Sequence, residues 1–119
     1  MRFAAGVVLL GALASCASPG TAEDFKWSVE CPKSVDRGAE FSFLVRTLNA
    51  AGAEVEGQSY RFQILWPAGS GNPLRHRGVS GTAARVHARM STGSAAMVIT
   101  CENRQGLDVK VFETAFEVK

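Results

Sequence analysis

The stretch Tyr60-Arg61-Phe62-Gln63-Ile64-Leu65-Trp66 decides the fold of this chain, because a large apolar side chain occupies every second position from Tyr60 to Trp66. A polar side chain fills the intermediate positions Arg61 and Gln63. A period of two is typical of a β-strand with one buried face and one exposed face. The pattern therefore predicts a strand whose aromatic and aliphatic face builds a core.

The same alternation recurs in short segments on both sides of this strand. The predicted strands cover residues 25–31, 41–45, 85–90, 95–101 and 107–118. Turn residues separate them at positions 49–52, 67–73, 92–94 and 103–106. In the last strand the parity of the apolar residues changes between Val111 and Phe112, which predicts either a bulge or a strand that changes faces. No segment shows a helical repeat, so the sequence predicts an all-β antiparallel sandwich of six to seven strands.

Length and charge narrow the class of protein further. The chain has 119 residues, which suits one domain, and its formal net charge is +2. Loss of Arg2 with a cleaved leader would leave +1. A domain dedicated to nucleic-acid binding carries a clearly basic balance, so this composition argues against that function.

The N-terminus has the form of an export signal, with the positive start Met1-Arg2 and an apolar run over residues 3–13. That run is too short for a stable transmembrane anchor. The four residues Leu13-Ala14-Ser15-Cys16 resemble the cleavage box of bacterial lipoprotein signals. The resemblance implies cleavage before Cys16 and acylation of that cysteine, which then anchors the protein in a membrane. The alternative is an ordinary signal peptide cut nearby, with Cys16 incidental.

The resemblance to lipoproteins also divides the chain and places it in the cell. Residues 1–15 form the signal peptide, 16–24 a lipidated tether rich in small and polar residues, and 25–119 the folded domain. Ala17 follows the cysteine where an aspartate would favour retention in the inner membrane. The implied location is therefore the bacterial outer membrane, facing the periplasm.

Three segments of the domain resemble bacterial immunoglobulin-like modules of the invasin and macroglobulin types. They are residues 37–45, residues 49–62 and residues 92–99. The resemblance implies an immunoglobulin-like β-sandwich, and it brings no catalytic residues.

The two remaining cysteines, Cys31 and Cys101, each fall on the apolar parity of a predicted strand. An even number of thiols in an exported chain predicts a disulfide between them. The alternative is a pair of buried free thiols.

No pattern for catalysis or metal binding stands out. His76 and His87 are each flanked by arginines, whose positive charge repels metal cations. The sequence has no nucleophile-elbow or zinc-protease pattern. We therefore predict no enzymatic activity, no cofactor and no bound metal. A copper site built from Met90, Met97 and His87 is a less favoured alternative.

The charged feature that stands out is a candidate surface for an anionic partner. Its members are Arg75, His76, Arg77, Arg85, His87 and Arg89. The last three alternate along one predicted strand and would form a single basic surface if the two groups adjoin. The alternative is an ordinary solvated strand face. Trp66 is either a core residue or a seat for a sugar or peptide.

Together these features predict a membrane-anchored lipoprotein that acts as a non-catalytic binding or structural module in the bacterial cell envelope. Its partner would be an envelope protein or an anionic polymer, and the charge balance argues against nucleic acid. The alternative function is a periplasmic carrier of a small ligand or metal, or an enzyme whose site the motifs do not disclose.

Overall fold

Eight strands in two sheets make up the computed structural model, which describes residues 20–119. The strands are β1 (Lys26–Glu30), β2 (Ser34–Val35), β3 (Glu40–Leu48), β4 (Ser59–Leu65), β5 (Leu74–Val79), β6 (Ala84–His87), β7 (Gly93–Glu102) and β8 (Asp108–Val118). Sheet A has the order β1-β3-β6, and sheet B has the order β2-β8-β7-β4-β5. All pairs are antiparallel except that of β2 with β8.

This architecture confirms the predicted all-β, immunoglobulin-like sandwich. The structure has more strands than the six to seven expected, because β2 and β5 show no alternation of apolar side chains. β2 contains two residues, and β5 carries Arg75, His76 and Arg77 in its centre. Apolar alternation does not reveal such strands, since β2 is too short to show a period and the centre of β5 is exposed.

The core forms where the apolar faces of the two sheets meet. Phe43 of β3 packs edge-on against Phe62 of β4, with 5.0 Å between the ring centres. Phe41 of β3 lies 5.3 Å from Phe116 of β8. Ile64, the centre of the stretch that predicted the fold, is completely buried. The strand predicted over residues 60–66 is therefore confirmed as β4.

The bulge predicted near Val111 and Phe112 is also present. Along the β7–β8 ladder Ile99 pairs with Phe112, but the next residue, Thr100, pairs with Lys110. Val111 is therefore the additional residue in β8. It reverses the direction of the side chains that follow, which explains the change of parity in the sequence.

Residues 20–24, which belong to the predicted tether, contact the sandwich. The Gly20 N–H donates to Gln58 Oε1 at 2.7 Å, and Trp27 Nε1 donates to the Ala22 carbonyl at 3.1 Å. Asp24 accepts a hydrogen bond from Arg104 Nη2 at 2.8 Å. The part of the predicted tether that the structure describes is thus packed on the domain. Residues 1–19, with the predicted signal and Cys16, lie outside the described residues.

The disulfide predicted between Cys31 and Cys101 is not formed, and both thiols are free. Cys101 lies beside Ser59, at the end of the sandwich where Trp27 pairs with Thr47. Cys31 directly follows β1 and is four residues beyond Trp27, which places it about 13 Å further from that end. A disulfide needs the two Cα atoms within about 7 Å of each other. Both cysteines belong to the apolar parity of a predicted strand, but they lie too far apart along the length of the sandwich to form a disulfide.

Among residues 20–119 the structure has a single short 3-10 helix, Ala22–Asp24, and no helix that is long and apolar enough to cross a membrane.

Candidate functional site

Two of the predicted basic residues, Arg75 and Arg77, lie on the outer face of sheet B. Both are on β5, the edge strand, and both side chains are exposed. Across the ladder Arg77 pairs with Arg61 and Arg75 pairs with Gln63 on β4. Residues directly opposite each other in a ladder point to the same face. The fold therefore adds a third arginine, Arg61, to the two that the sequence predicted.

Arg61 and Arg77 form the closer of the two types of cross-strand pair. The Arg77 N–H donates to His76 Nδ1 at 2.9 Å, so the backbone of Arg77 faces away from β4. In an antiparallel ladder, pairs without mutual hydrogen bonds bring their side chains nearest together. Like charges directly opposite each other are destabilising. Two guanidinium groups thus share a position that local stability disfavours.

One carboxylate offsets this charge. Arg61 Nη1 lies 3.3 Å from Asp108 Oδ2, and Thr100 Oγ1 donates to the same oxygen at 3.0 Å. β4, β5 and the loop between them contain no acidic residue. We call Arg61, Arg75 and Arg77 the arginine face. Shallow grooves of about 470 Å³ each lie against it, and both are lined by Arg61, Arg77, Thr100 and Asp108.

The other predicted basic residues do not join this face. Arg85 and His87 are on β6 of sheet A, where they pair with Ser42 and Glu40 of β3. Both are exposed, whereas Val86 between them is buried in the core. The outer faces of sheets A and B point in opposite directions. The single basic surface expected from the sequence is therefore divided into two.

Arg89 contacts Trp66 and the loop between β4 and β5 and does not join the arginine face. Its guanidinium lies 5.4 Å from the centre of the Trp66 ring, and its Nη1 donates to the Ser70 carbonyl at 2.8 Å. Trp66 in turn packs edge-on against Phe116 at 6.2 Å. Arg89 and Trp66 thus hold the loop between β4 and β5 against the sandwich. This arrangement agrees with the reading of Trp66 as a packing residue.

The residues of the alternative copper site are not brought together. Met97 is fully buried in the core, whereas Met90 is 69% exposed although its parity predicts burial. His87 lies on the outer face of sheet A. Within residues 20–119 no group of three or more histidine, cysteine, aspartate or glutamate side chains is arranged to hold a metal ion.

A buried polar network fixes the end of β5 and so positions the arginine face. Ser80 follows β5 directly and is 1% exposed. Its Oγ accepts the Gln58 N–H at 3.0 Å, lies 3.0 Å from Thr47 Oγ1 and donates to the Val55 carbonyl at 3.2 Å. Thr47 belongs to sheet A, so the network ties β5 to both sheets.

On the inner side of sheet B, the ring of Tyr60 packs directly against the backbone of Gly78. They pair across the ladder, and a Cβ atom on Gly78 would approach Tyr60 Cζ to 2.5 Å. Only glycine leaves room for the tyrosine ring here. Burial raises the pKa of Tyr60 to about 12. Within the described part of the chain, its buried hydroxyl has no hydrogen-bond partner.

Arg61 was missed because the sequence pattern assigns it only to the polar side of β4. A simpler signal was available in the distribution of charge. Residues 57–101 contain five arginines, two histidines and no acidic residue or lysine. β4 and β5 both lie within that segment and are neighbours in sheet B.

Comparison with known proteins identifies no family for this chain. No family model matches the chain, and no curated protein is significantly similar to it. One solved structure that it is similar to is the CARDB domain of the PF1109 protein in complex with di-metal ions from Pyrococcus furiosus. The sequences are 16% identical, the match covers 86% of this chain and 93% of that one, and the TM-score is 0.47.

Proposed function

We propose that this protein is a lipid-anchored, non-catalytic module of the bacterial cell envelope that binds an anionic partner through the arginine face. The observation that carries the proposal is the pairing of Arg61 with Arg77 directly across β4 and β5. Such a pair costs stability in the free protein. A bound carboxylate or phosphate would remove that cost, so the arrangement favours a partner that supplies negative charge.

The choice of side chain supports the same function. Every basic residue in the segment 57–101 that contains β4 and β5 is an arginine or a histidine, although lysine occurs elsewhere in the chain. The planar guanidinium group binds carboxylate and phosphate through two parallel hydrogen bonds, which the lysine ammonium group cannot do. The arginine face is therefore suited to recognition of an anionic partner as well as to solubility.

The anchor in this proposal rests on Cys16 and its resemblance to a lipoprotein cleavage site. Residues 17–19 would be the only link between an acylated Cys16 and Gly20, which contacts the domain. Four residue steps span at most about 14 Å. The end of the sandwich at Gly20 would then face the membrane closely, and the partner would lie beside the membrane surface, in the periplasm if the membrane is the outer one.

The end of the sandwich at Gly20 carries charges of both signs. Its acidic residues are Glu23, Asp24, Glu102 and Asp108, and its basic residues include Arg104, which pairs with Asp24, and Arg61 and Arg77, which line the same groove as Gly20. Because the carboxylates would oppose close contact with an anionic membrane, we assign the arginine face to a macromolecule of the envelope rather than to the lipid headgroups themselves.

Site-specific photo-crosslinking of the full-length protein in cells tests the proposal. A photoreactive amino acid replaces Gln63, which lies next to Arg75 on the arginine face, and in a control strain it replaces Ser42 on the outer face of sheet A. We expect a defined adduct from position 63 alone, and we expect Arg77→Gln to weaken it. Equal labelling from both positions, or an adduct that Arg77→Gln leaves unchanged, would contradict the proposal.

A further inference from the structure

The free edge of sheet B is formed by β5, which pairs with β4 on one side only. The Ser80 N–H donates to the Gln58 carbonyl on the β4 side, whereas the Arg77 N–H donates to His76 Nδ1 on the other side. Backbone directions alternate along an antiparallel strand. The N–H and C=O groups of Arg75, Arg77 and Val79 therefore point away from β4, along the open edge.

Exposed edges are commonly blunted by proline, by bulges, by very short strands or by charged side chains. Of these protections β5 has only the charged side chains, Arg75 and Arg77. β5 has six residues without proline, and its register with β4 is continuous from Leu74 opposite Ile64 to Val79 opposite Ser59.

A single side chain covers the middle of the edge. The His76 ring stacks on Phe62 at 6.1 Å, and its Nδ1 lies 2.9 Å from the Arg77 nitrogen and 3.3 Å from the Arg77 oxygen. Since Nδ1 accepts the Arg77 N–H, it carries no hydrogen and does not bind the Arg77 carbonyl. Because His76 is exposed, rotation of its ring into solvent would release the N–H as well.

The charge of Arg75 and Arg77 favours one kind of added strand over another at this edge. Arg75 and Arg77 lie two residues apart on the same face of β5. A second copy of this chain, paired through β5, would place arginine against arginine, which is unfavourable. A strand with an acidic residue at every second position would place a carboxylate opposite each arginine instead.

We propose that the partner contributes an extended protein segment, acidic at alternate positions, which adds to β5 as the sixth strand of sheet B. The inference rests on the proposed function, since the same arginines supply the charge. Main-chain hydrogen bonds to Arg75, Arg77 and Val79 hold the segment, and the arginine face selects its sequence. In other complexes formed by strand addition, main-chain hydrogen bonds likewise give affinity and side-chain contacts give specificity.

A synthetic peptide of alternating threonine and glutamate, ten residues long and labelled for fluorescence anisotropy, tests the inference with the full-length protein in neutral detergent. Two matched peptides carry N-methyl groups on all the threonines or on all the glutamates. Both keep the charge of the parent peptide, but in an added strand only one of the two sets of N–H groups faces β5.

We expect the parent peptide to bind, and one methylated peptide to bind about tenfold or more weakly than the other, because it loses several hydrogen bonds. Arg75→Gln combined with Arg77→Gln should weaken the parent peptide as well. His76→Ala should leave its affinity unchanged or increase it, because the imidazole no longer covers Arg77.

Three results would overturn strand addition: no binding of the parent peptide, equal affinities of the two methylated peptides, or a dimer of the free protein that β5 mediates. None of them decides the proposed function, which depends on the crosslinks from position 63. Loss of those crosslinks, in contrast, would remove the arginine face as the site of any partner.

Discussion

Ser80→Ala tests whether the buried network at the end of β5 stabilises the contact between the two sheets. The hydroxyl of Ser80 accepts the Gln58 N–H at 3.0 Å and donates to the Val55 carbonyl at 3.2 Å. Ser80 and Gln58 are 1% and 4% exposed. Alanine fills almost the same volume but cannot accept the hydrogen bond, so the variant leaves a buried N–H group without a partner.

An unsatisfied buried donor costs about 1–3 kcal/mol, which is a large part of the stability of a small domain. For a domain of this size, each kcal/mol lowers the Tm by about 4–8 °C. We therefore expect Ser80→Ala to lower the free energy of unfolding by about 1–3 kcal/mol, with a matching fall in Tm.

Urea unfolding followed by circular dichroism measures this difference, and Ser59→Ala is the matched control. Ser59 is exposed at the start of β4, so its truncation should change stability by less than about 0.5 kcal/mol. Thr47→Val, which removes the hydroxyl 3.0 Å from Ser80 Oγ, should not be additive with Ser80→Ala. If Ser80→Ala unfolds at the same urea concentration as Ser59→Ala, the network does not stabilise the end of β5.

Three further predictions concern the anchor, the thiols and the inner side of β5. Cys16→Ser should abolish labelling by a radioactive fatty acid and release the protein from membranes, and a variant that still incorporates label would exclude Cys16 as the anchor. Cys31 and Cys101 should both be alkylated when the non-reduced domain is unfolded, and a domain with no free thiol would contradict the structure. Alkylation of the native protein should be slow at neutral pH, because burial raises the pKa of each thiol. Gly78→Ala should destabilise the domain by about 1–3 kcal/mol through overlap with Tyr60, as measured by thermal unfolding, and a variant as stable as wild type would show that the ring moves freely.

The period-two stretches predicted the strands that bury one face, because burial itself produces the alternation. β4 and the bulge at Val111 are examples, and both lie between or beside other strands of sheet B. β5 escaped prediction for the converse reason. Its central residues Arg75, His76 and Arg77 are all exposed at the edge, so no apolar period marks the strand.

The disulfide and the basic surface could not be predicted because both depend on long-range placement. The parities of Cys31 and Cys101 are correct for an interior position, and Cys101 is indeed buried, but the parity of a residue does not specify its height along the sandwich. Likewise, the arginines at 75 and 77 are close in sequence to Arg85. The turn at residues 80–83 carries the chain from sheet B to sheet A, so neighbouring segments present their side chains on opposite faces.

The same crossover supports the selectivity that we propose for the arginine face. By sending Arg85 and His87 to the other side of the sandwich, the fold keeps the arginine face small and regular, with Arg75 and Arg77 at a spacing of two residues along one edge strand. A diffuse basic patch attracts any anion, whereas charges spaced by a strand repeat match a partner only when its carboxylates have the same repeat. In this proposal, therefore, the specificity for a partner depends on the register in which its strand pairs with β5. A peptide with the same composition but paired rather than alternating glutamates should bind β5 more weakly than the alternating one, and equal affinities would show that net charge alone governs binding.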